Sequence, residues 1–252
     1  RAAMESRGLG DVYKRQVDSI SDDSSSWISS CFKTEETFSF SKLRTESSQR
    51  DYFRFNFQGK TFILMYAPKG IDESIESFCK KADVFKSFQV KVPEIYFRND
   101  DLCHLIIEDF SDNLYQLNIT QENSDIFIKS ALDQLIRIQN IDCDKEIFDH
   151  FDLEKSIANK DLFIDFFCRR YLNLSDSSIP FDTIDEGYNF ILKRFYELPL
   201  CISHYDFETR NLIYLDSKET GVLDFQDAMI APYALDFCLL YTSPSPRDSI
   251  AS

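Results

Sequence analysis

Apolar and polar residues alternate in the first half of the chain in a pattern that predicts a small sheet. Residues 52–57 (YFRFNF) alternate with period two, which is typical of a half-buried strand. Residues 61–67 (TFILMYA) form a more fully apolar run, and the turn-forming stretch 58–60 (QGK) separates the two. We therefore expect a β-hairpin here, and two further strands at 92–97 and 104–108.

Helical spacing occurs between the two strand pairs and again in the second half of the chain. Over 72–88, apolar residues recur three or four positions apart, at Ile75, Phe78, Ala82 and Phe85. After this lobe we expect three longer helices, at about 121–140, 153–172 and 184–198. Only two strands are expected there, 212–215 and 222–225. The pattern predicts an α+β fold of two lobes, a small β-rich N-lobe and a mainly helical C-lobe, which suits a ligand cleft between them.

The two ends of the chain differ in composition from its interior. Residues 1–16 and 240–252 together hold two of the six glycines and two of the seven prolines, and they resemble translated sequencing-adapter tails. We expect both segments to be foreign to the natural protein, which would then continue beyond Phe237.

Composition narrows the class of function. A formal charge of −15 argues against binding to nucleic-acid backbones, which requires basic surface. Because no apolar run approaches the length of a membrane span and no signal peptide opens the chain, we expect a cytoplasmic protein without a membrane partner. The seven cysteines are scattered without CxxC spacing, which favours reduced thiols over disulfides or a zinc site.

Polar residues that could carry chemistry are concentrated between 204 and 227, where HYDFETRN is followed by a predicted hairpin and then DFQD. If the turn of that hairpin is centred near 217–218, Asn211 faces Asp224 to within about one position. Facing side chains in such a pair lie about 4.5–5.5 Å apart. An amide oxygen and a carboxylate at that distance can hold Mg²⁺, which completes its shell with water and phosphate oxygens.

Asp206 precedes Asn211 by five residues, on the loop that enters the hairpin. A carboxylate there can accept the proton of an incoming hydroxyl while metal ions hold the phosphates. The same spacing separates the catalytic Asp from the metal-binding Asn in protein kinases, so these residues predict phosphoryl transfer.

Residues 204–211 and 221–228 (GVLDFQDA) resemble the aminoglycoside phosphotransferase/choline kinase superfamily, which has a protein-kinase-like fold. Within it, the chain is most similar to the bacterial kinases that phosphorylate the anomeric (C1) hydroxyl of N-acetylmuramate and N-acetylglucosamine in cell-wall recycling. The resemblance covers about residues 38–237, because further segments agree in the same order, at 52–54, 63–68, 92–95, 105–109 and 235–237.

The resemblance implies ATP and Mg²⁺ as cofactors and a small molecule, an amino sugar in the first instance, as the acceptor. It implies roles for four residues. In catalysis, Asp206 would be the general base and His204 the residue that braces the loop. Asn211 and Asp224 would be the metal ligands. Residues 17–112 would bind the nucleotide, and residues 113–239 would carry catalysis and the acceptor.

The nucleotide-binding half departs from the common kinase pattern. Many kinases place a Lys on the second hairpin strand, but Met65 occupies that place here, as it does in the amino-sugar kinases. The preceding loop has no glycine, so Arg50 or Arg54 could supply the cation for the phosphates. Glu108 and Asp109 follow a buried strand as an adenine-binding hinge does, where the main chain makes the bonds.

Two other functions stay open at this point. The chain could phosphorylate another small alcohol, such as choline, an aminoglycoside or a homoserine-like metabolite. Alternatively, the missing Lys and glycine-rich loop could indicate a pseudokinase that binds nucleotide without turnover. The oligomeric state does not follow from the sequence.

Overall fold

The computed structural model describes residues 20–43, 49–70, 74–142, 145–151 and 160–242. The chain divides into two compact units, one through Ile75 together with Glu94–Asp109, the other Glu76–Pro93 together with the chain from Phe110 onward. The predicted α+β fold is confirmed, with a β-rich first unit and a mainly helical second unit. Of the helices described, none is both long and apolar enough to cross a membrane.

The first unit is built on a five-stranded antiparallel sheet in the order β1-β2-β3-β5-β4. Its strands are β1 Phe40–Lys42, β2 Asp51–Phe57, β3 Lys60–Tyr66, β4 Ile95–Asn99 and β5 His104–Glu108. The predicted hairpin is confirmed as β2 and β3, paired with Tyr52 opposite Met65. Gln58 and Gly59 both have positive φ, 50° and 79°, as the two central residues of a type I′ turn require. Strand β1 was not expected, because three residues are too few to show a period.

One face of this sheet is covered by α1, Asp22–Phe32, which begins after its N-cap Ser21. Ile28 of α1 is fully buried against apolar side chains of β2, β3 and β5, namely Phe53, Phe55, Phe62, Leu64 and Ile106. The period-two pattern of the sequence therefore places one face of each strand in a single core.

The second unit contains six helices among the described residues. They are α2 Ile75–Ser87, α3 Tyr115–Asn118, α4 Ser124–Gln139, α5 Phe163–Tyr171, α6 Phe181–Tyr196 and α7 Ala234–Thr242. The expected helices at 72–88, 121–140 and 184–198 agree with α2, α4 and α6. Segment α5 is a π-helix that continues from α-helical residues 160–162, and residues 153–159 of the helix expected at 153–172 lie outside the described residues.

The described residues of the second unit include four short strands, so the expectation of only two is wrong. They are β6 Leu200–Ser203, β7 Leu212–Tyr214, β8 Thr220–Val222 and β9 Met229–Pro232, paired antiparallel as β6 with β9 and β7 with β8. Strand β9 is buried throughout and ends in a proline, so its sequence (MIAP) carries no alternation that would reveal a strand.

The suspected foreign ends fall mostly outside the described residues. All of 1–16 and all of 243–252 do so. The remainder of 240–252 belongs to α7, where Leu240 is buried.

Gly221 in β8 allows a stability test of how the Phe110 ring packs against the β7–β8 hairpin. A Cβ atom at this position would lie 2.6 Å from Cδ2 and Cε2 of the Phe110 ring. We expect Gly221→Ala to lower the free energy of unfolding by about 1–3 kcal/mol, the usual cost of overpacking a filled core. Urea unfolding followed by circular dichroism measures the change.

Gly187 is the matched control, because it lies in the exposed interior of α6 and a Cβ there meets no atom within 4 Å. Gly187→Ala should stabilise the protein by about 0.5–1 kcal/mol through helix propensity. If both substitutions had the same sign, close packing of Phe110 on Gly221 would be contradicted.

Candidate active site

His204 begins the loop between β6 and β7 and is completely buried. Its Nδ1 lies 3.3 Å from the main-chain N–H of Asp206, and its Nε2 lies 2.8 Å from the main-chain oxygen of Leu223. An N–H can only donate and a carbonyl can only accept, so the ring is neutral with its proton on Nε2. The imidazole therefore joins the loop that carries Asp206 to the residue that precedes Asp224.

Asp236 in the first turn of α7 holds the same loop from the other side. Its two carboxylate oxygens accept the main-chain N–H groups of His204, at 2.7 Å, and Tyr205, at 2.9 Å. Burial raises the pKa of Asp236, and these main-chain hydrogen bonds act in the opposite direction because they stabilise the charged form. Tyr205 has φ of 75°, a conformation that is rare for a residue with a bulky side chain. The buried carboxylate compensates for this conformation by bonding two consecutive amides.

Asn211 and Asp206 are in direct contact. The Asn211 side-chain amide donates to the Asp206 carboxylate at 2.8 Å and to the Asp206 main-chain oxygen at 2.9 Å. Because both acceptors require the NH₂ group, both amide protons are used and the amide oxygen is the atom left to accept from another group or to ligate a cation. The five-residue spacing thus closes a small loop around Asp206.

The β7–β8 hairpin brings Asp224 next to this loop. Leu212 pairs with Val222, and the Leu223 N–H donates to the Asn211 main-chain oxygen at 2.9 Å. Asn211 therefore faces Leu223 and not Asp224. This register differs by one position from the expected one, which allowed for a shift of about one position.

Asp224 itself lies beyond the strand, which corrects the expected strand at 222–225. Strand β8 ends at Val222, and Asp224 has left-handed backbone angles (φ 58°, ψ 36°) at the start of a 3₁₀ turn, Phe225–Asp227. Its carboxylate accepts a hydrogen bond from Gln226 Nε2, and the residue is exposed. Asp is one of the few residues that adopt this backbone conformation readily, so the turn can present a carboxylate to solvent.

Glu208 is a neighbour of Asp206 that sequence reasoning missed. Burial raises the pKa of Glu208, and a hydrogen bond to the Asp206 carboxyl and the charge of that group raise it further. Arg210 lowers the pKa of Glu208 through an ion pair between Arg210 Nε and Glu208 Oε1. The only sequence signal was a second acid two positions after Asp206.

The residues expected to bind the nucleotide lie in the first unit. Met65 is fully buried in β3, between Tyr52 and Leu105 of the adjacent strands. Arg50, immediately before β2, is also buried, with 1% of its surface exposed.

The two hinge candidates lie at the end of β5, where Glu108 is the last residue of the strand and Asp109 follows it. Arg54 forms a two-pronged ion pair with Asp109, with Nε–Oδ2 at 2.7 Å and Nη2–Oδ1 at 3.0 Å. Glu108 accepts the Glu94 N–H on its carboxylate at 3.2 Å. The Asp109 side chain is thus engaged within the unit, in line with the expectation that any hinge contact uses the main chain. Nucleotide binding by Arg50, Met65, Glu108 and Asp109 stays a prediction.

The chain belongs to the family described as the phosphotransferase enzyme family (APH), whose sequence model matches residues 39–251. It is similar to two proteins named N-acetylmuramate/N-acetylglucosamine kinase. The one from Pseudomonas aeruginosa is 28% identical over 210 residues, 81% of this chain and 61% of the relative. The one from Pseudomonas putida is 26% identical over 205 residues, 81% of this chain and 59% of the relative. The chain thus spans about three fifths of the length of these relatives.

Solved structures agree on the fold. An ADP-bound aminoglycoside phosphotransferase superposes with a TM-score of 0.63 at 18% identity, covering 86% of this chain and 74% of the other. The choline kinase of Streptococcus pneumoniae superposes with a TM-score of 0.60 at 13% identity, covering 86% and 72%.

The raised pKa of Glu208 predicts a pH effect on stability. A carboxyl whose pKa is higher in the folded protein stabilises the fold below its ordinary value of 4.5, and this contribution is lost as the pH rises through the raised value. Wild type should therefore lose stability relative to Glu208→Gln as the pH rises above 4.5.

Urea unfolding of both proteins at several pH values measures this difference. Glu219→Gln is the control, since Glu219 is an exposed carboxyl in the β7–β8 turn. If wild type gained stability relative to Glu208→Gln over this range, the pKa of Glu208 would be lowered by folding and its assignment here would be wrong.

Proposed function

We propose that this chain transfers the γ-phosphate of ATP to a hydroxyl of a small molecule in a Mg²⁺-dependent reaction. We further propose that the acceptor is the C1 hydroxyl of N-acetylmuramate or N-acetylglucosamine, as in cell-wall recycling. The observation that carries the proposal is the pair of hydrogen bonds made by the Leu223 main chain. Its N–H bonds to the Asn211 main-chain oxygen and its carbonyl bonds to His204, so Leu223 links the segments that carry Asp206, Asn211 and Asp224.

The donor set fits a Mg²⁺ ion. The amide oxygen of Asn211 is the free end of a group whose protons are held by Asp206, and the Asp224 carboxylate is exposed. Both are oxygen donors, the type of ligand that Mg²⁺ prefers. When bound, the ion would supply neutralisation of charge on the phosphate oxygens.

Asp206 is the proposed general base. Its carboxylate is oriented by Asn211 and its main chain by His204, so the side chain is held in one direction. The carboxylate would accept the proton of the acceptor hydroxyl as the new O–P bond forms, while the bond from the γ-phosphorus to the bridging oxygen breaks and ADP leaves. Positioning of this kind, together with neutralisation of charge, accounts for most of the catalysis of phosphoryl transfer by proteins.

The acceptor is proposed from the names of the relatives, both of which are kinases of these two amino sugars. Phosphorus-31 NMR tests it directly with ATP, Mg²⁺ and N-acetylglucosamine or N-acetylmuramate as acceptor. The methyl glycoside of N-acetylglucosamine is the matched control, since only its C1 oxygen is blocked. We expect an anomeric phosphate from the free sugars and none from the glycoside.

The same measurement separates the alternatives. Phosphorylation of the methyl glycoside would show that another hydroxyl is the acceptor. Phosphorylation of only choline or an aminoglycoside would favour the kinases of those alcohols, which share the fold. Nucleotide binding without turnover on any acceptor would favour a pseudokinase. The pseudokinase alternative stays open because the buried Met65 in β3 occupies the place where many kinases have a Lys.

Substitutions at the two acids should have different effects. Asp206→Asn keeps an oxygen to accept from Asn211 but cannot take a proton, so turnover should fall by about 10²–10⁴ with nucleotide affinity unchanged. Asp224→Ala removes a metal ligand and should weaken binding of Mg·ATP. Steady-state kinetics and calorimetry measure the two quantities.

Asp216→Asn is the control, because Asp216 is an exposed acid in the turn of the same hairpin. It should leave both quantities at the wild-type value. Equal and mild effects of Asp206→Asn and Asp224→Ala would contradict the roles assigned to them.

A further inference from the structure

Helix α2 packs against the rest of the second unit with a face that is apolar with one exception. Phe78, Ala82 and Phe85 are buried at helical spacing, and Lys81 is buried among them with 6% of its surface exposed. Lys is among the residues most rarely buried, and its ammonium group must be hydrogen-bonded if removal from water is to be tolerated. The partners of Lys81 therefore indicate why a cation lies on this face.

The Lys81 ammonium bonds to the middle of the turn that follows Asp224 and to the residue at which the turn ends. Its Nζ donates to the main-chain oxygen of Gln226 and, at 3.0 Å, to that of Ala228. It also lies 5.9 Å from the centre of the Phe148 ring, within range of a cation–π contact. One side chain thus fixes the main chain of the turn at two points.

This turn determines where the Asp224 carboxylate points. Gln226, whose carbonyl is bonded by Lys81, donates from its side chain to Asp224 Oδ1. Phe225 packs between Phe78 and Phe85 of the same helix face, with ring centroids 4.8 and 5.5 Å away. Asp224 has left-handed backbone angles, so its direction depends on how its neighbours are held.

We propose that Lys81 is a positioning residue for the metal ligand Asp224, which it orients through the main chain of Gln226 and Ala228. This role rests on the proposed function, because it presumes that Asp224 ligates Mg²⁺. Groups that orient metal ligands typically change metal affinity or activity by about 10–100-fold when they are removed. A packing residue with no such role would change stability alone.

The test is Lys81→Met, which keeps the length and apolar stem of the side chain and removes the ammonium. Lys80→Met is the matched control, since Lys80 is the adjacent residue, is exposed and forms an ion pair with Glu76 across the helix surface. Calorimetry of ADP binding with and without Mg²⁺, at a temperature below every melting transition, separates metal-dependent from metal-independent affinity. Thermal unfolding of each variant is recorded in parallel.

We expect Lys81→Met to weaken the Mg²⁺-dependent part of ADP binding by about 10–100-fold, with metal-free binding unchanged. Lys80→Met should match wild type in both. Lys81→Arg keeps a charged donor and should recover most of the lost affinity. Lys81→Gln keeps only a shorter neutral donor and should recover less than Lys81→Arg. These two variants also test the role if Lys81→Met does not fold.

Two results would count against these claims, and they are distinguishable. If Lys81→Met, or Lys81→Gln in its place, had a lower melting temperature but the wild-type dependence on Mg²⁺, the positioning role would be wrong while the proposed function stood. If wild type itself bound ADP without any influence of Mg²⁺, the proposed function would fail, and the role of Lys81 with it.

Discussion

The neutral imidazole of His204 lies between the two segments that carry the acids of the site. It accepts from the Asp206 N–H and donates to the Leu223 carbonyl, and it can do both only in one tautomer. Because the ring is fully buried, loss of either bond would leave a polar group without water. This side chain therefore links the segments that carry Asp206 and Asp224, beside the bond between the Leu223 N–H and the Asn211 main-chain oxygen, which is consistent with a bracing role and not a chemical one.

Two helices distant in sequence complete the arrangement, each through a single buried ionisable residue. Asp236 of α7 accepts two consecutive N–H groups of the loop that carries Asp206. Lys81 of α2 donates to two carbonyls of the turn that follows Asp224. The Asp236 carboxylate accepts from N–H groups and the Lys81 ammonium donates to carbonyl groups. Each main-chain segment is therefore held by a side chain of complementary charge. Buried polar networks of this kind are strong when complete and costly when one member is lost.

Much of the fold and the core of the site could be predicted from the sequence. The hairpin of β2 and β3 and the helices α2, α4 and α6 follow from periods long enough to be seen, whereas β6 and β9 have four residues each and no period. Asp206, Asn211 and Asp224 became site candidates because their spacing is local, and their roles stay predictions. Partners that lie far apart in sequence, such as Arg54 with Asp109 or Lys81 with Gln226, leave no local pattern. The one available signal for Lys81 was a cation on the apolar stripe of α2.

The central claim is that the fold brings Asn211 and Asp224 together as ligands of one metal site beside Asp206. Crystals grown with ADP and Mn²⁺ in place of Mg²⁺ test this most directly, because the anomalous scattering of manganese identifies the ion without reference to activity. We predict an anomalous peak in contact with the Asn211 amide oxygen and the Asp224 carboxylate. Manganese bound with ADP at a place that neither side chain touches would contradict the account.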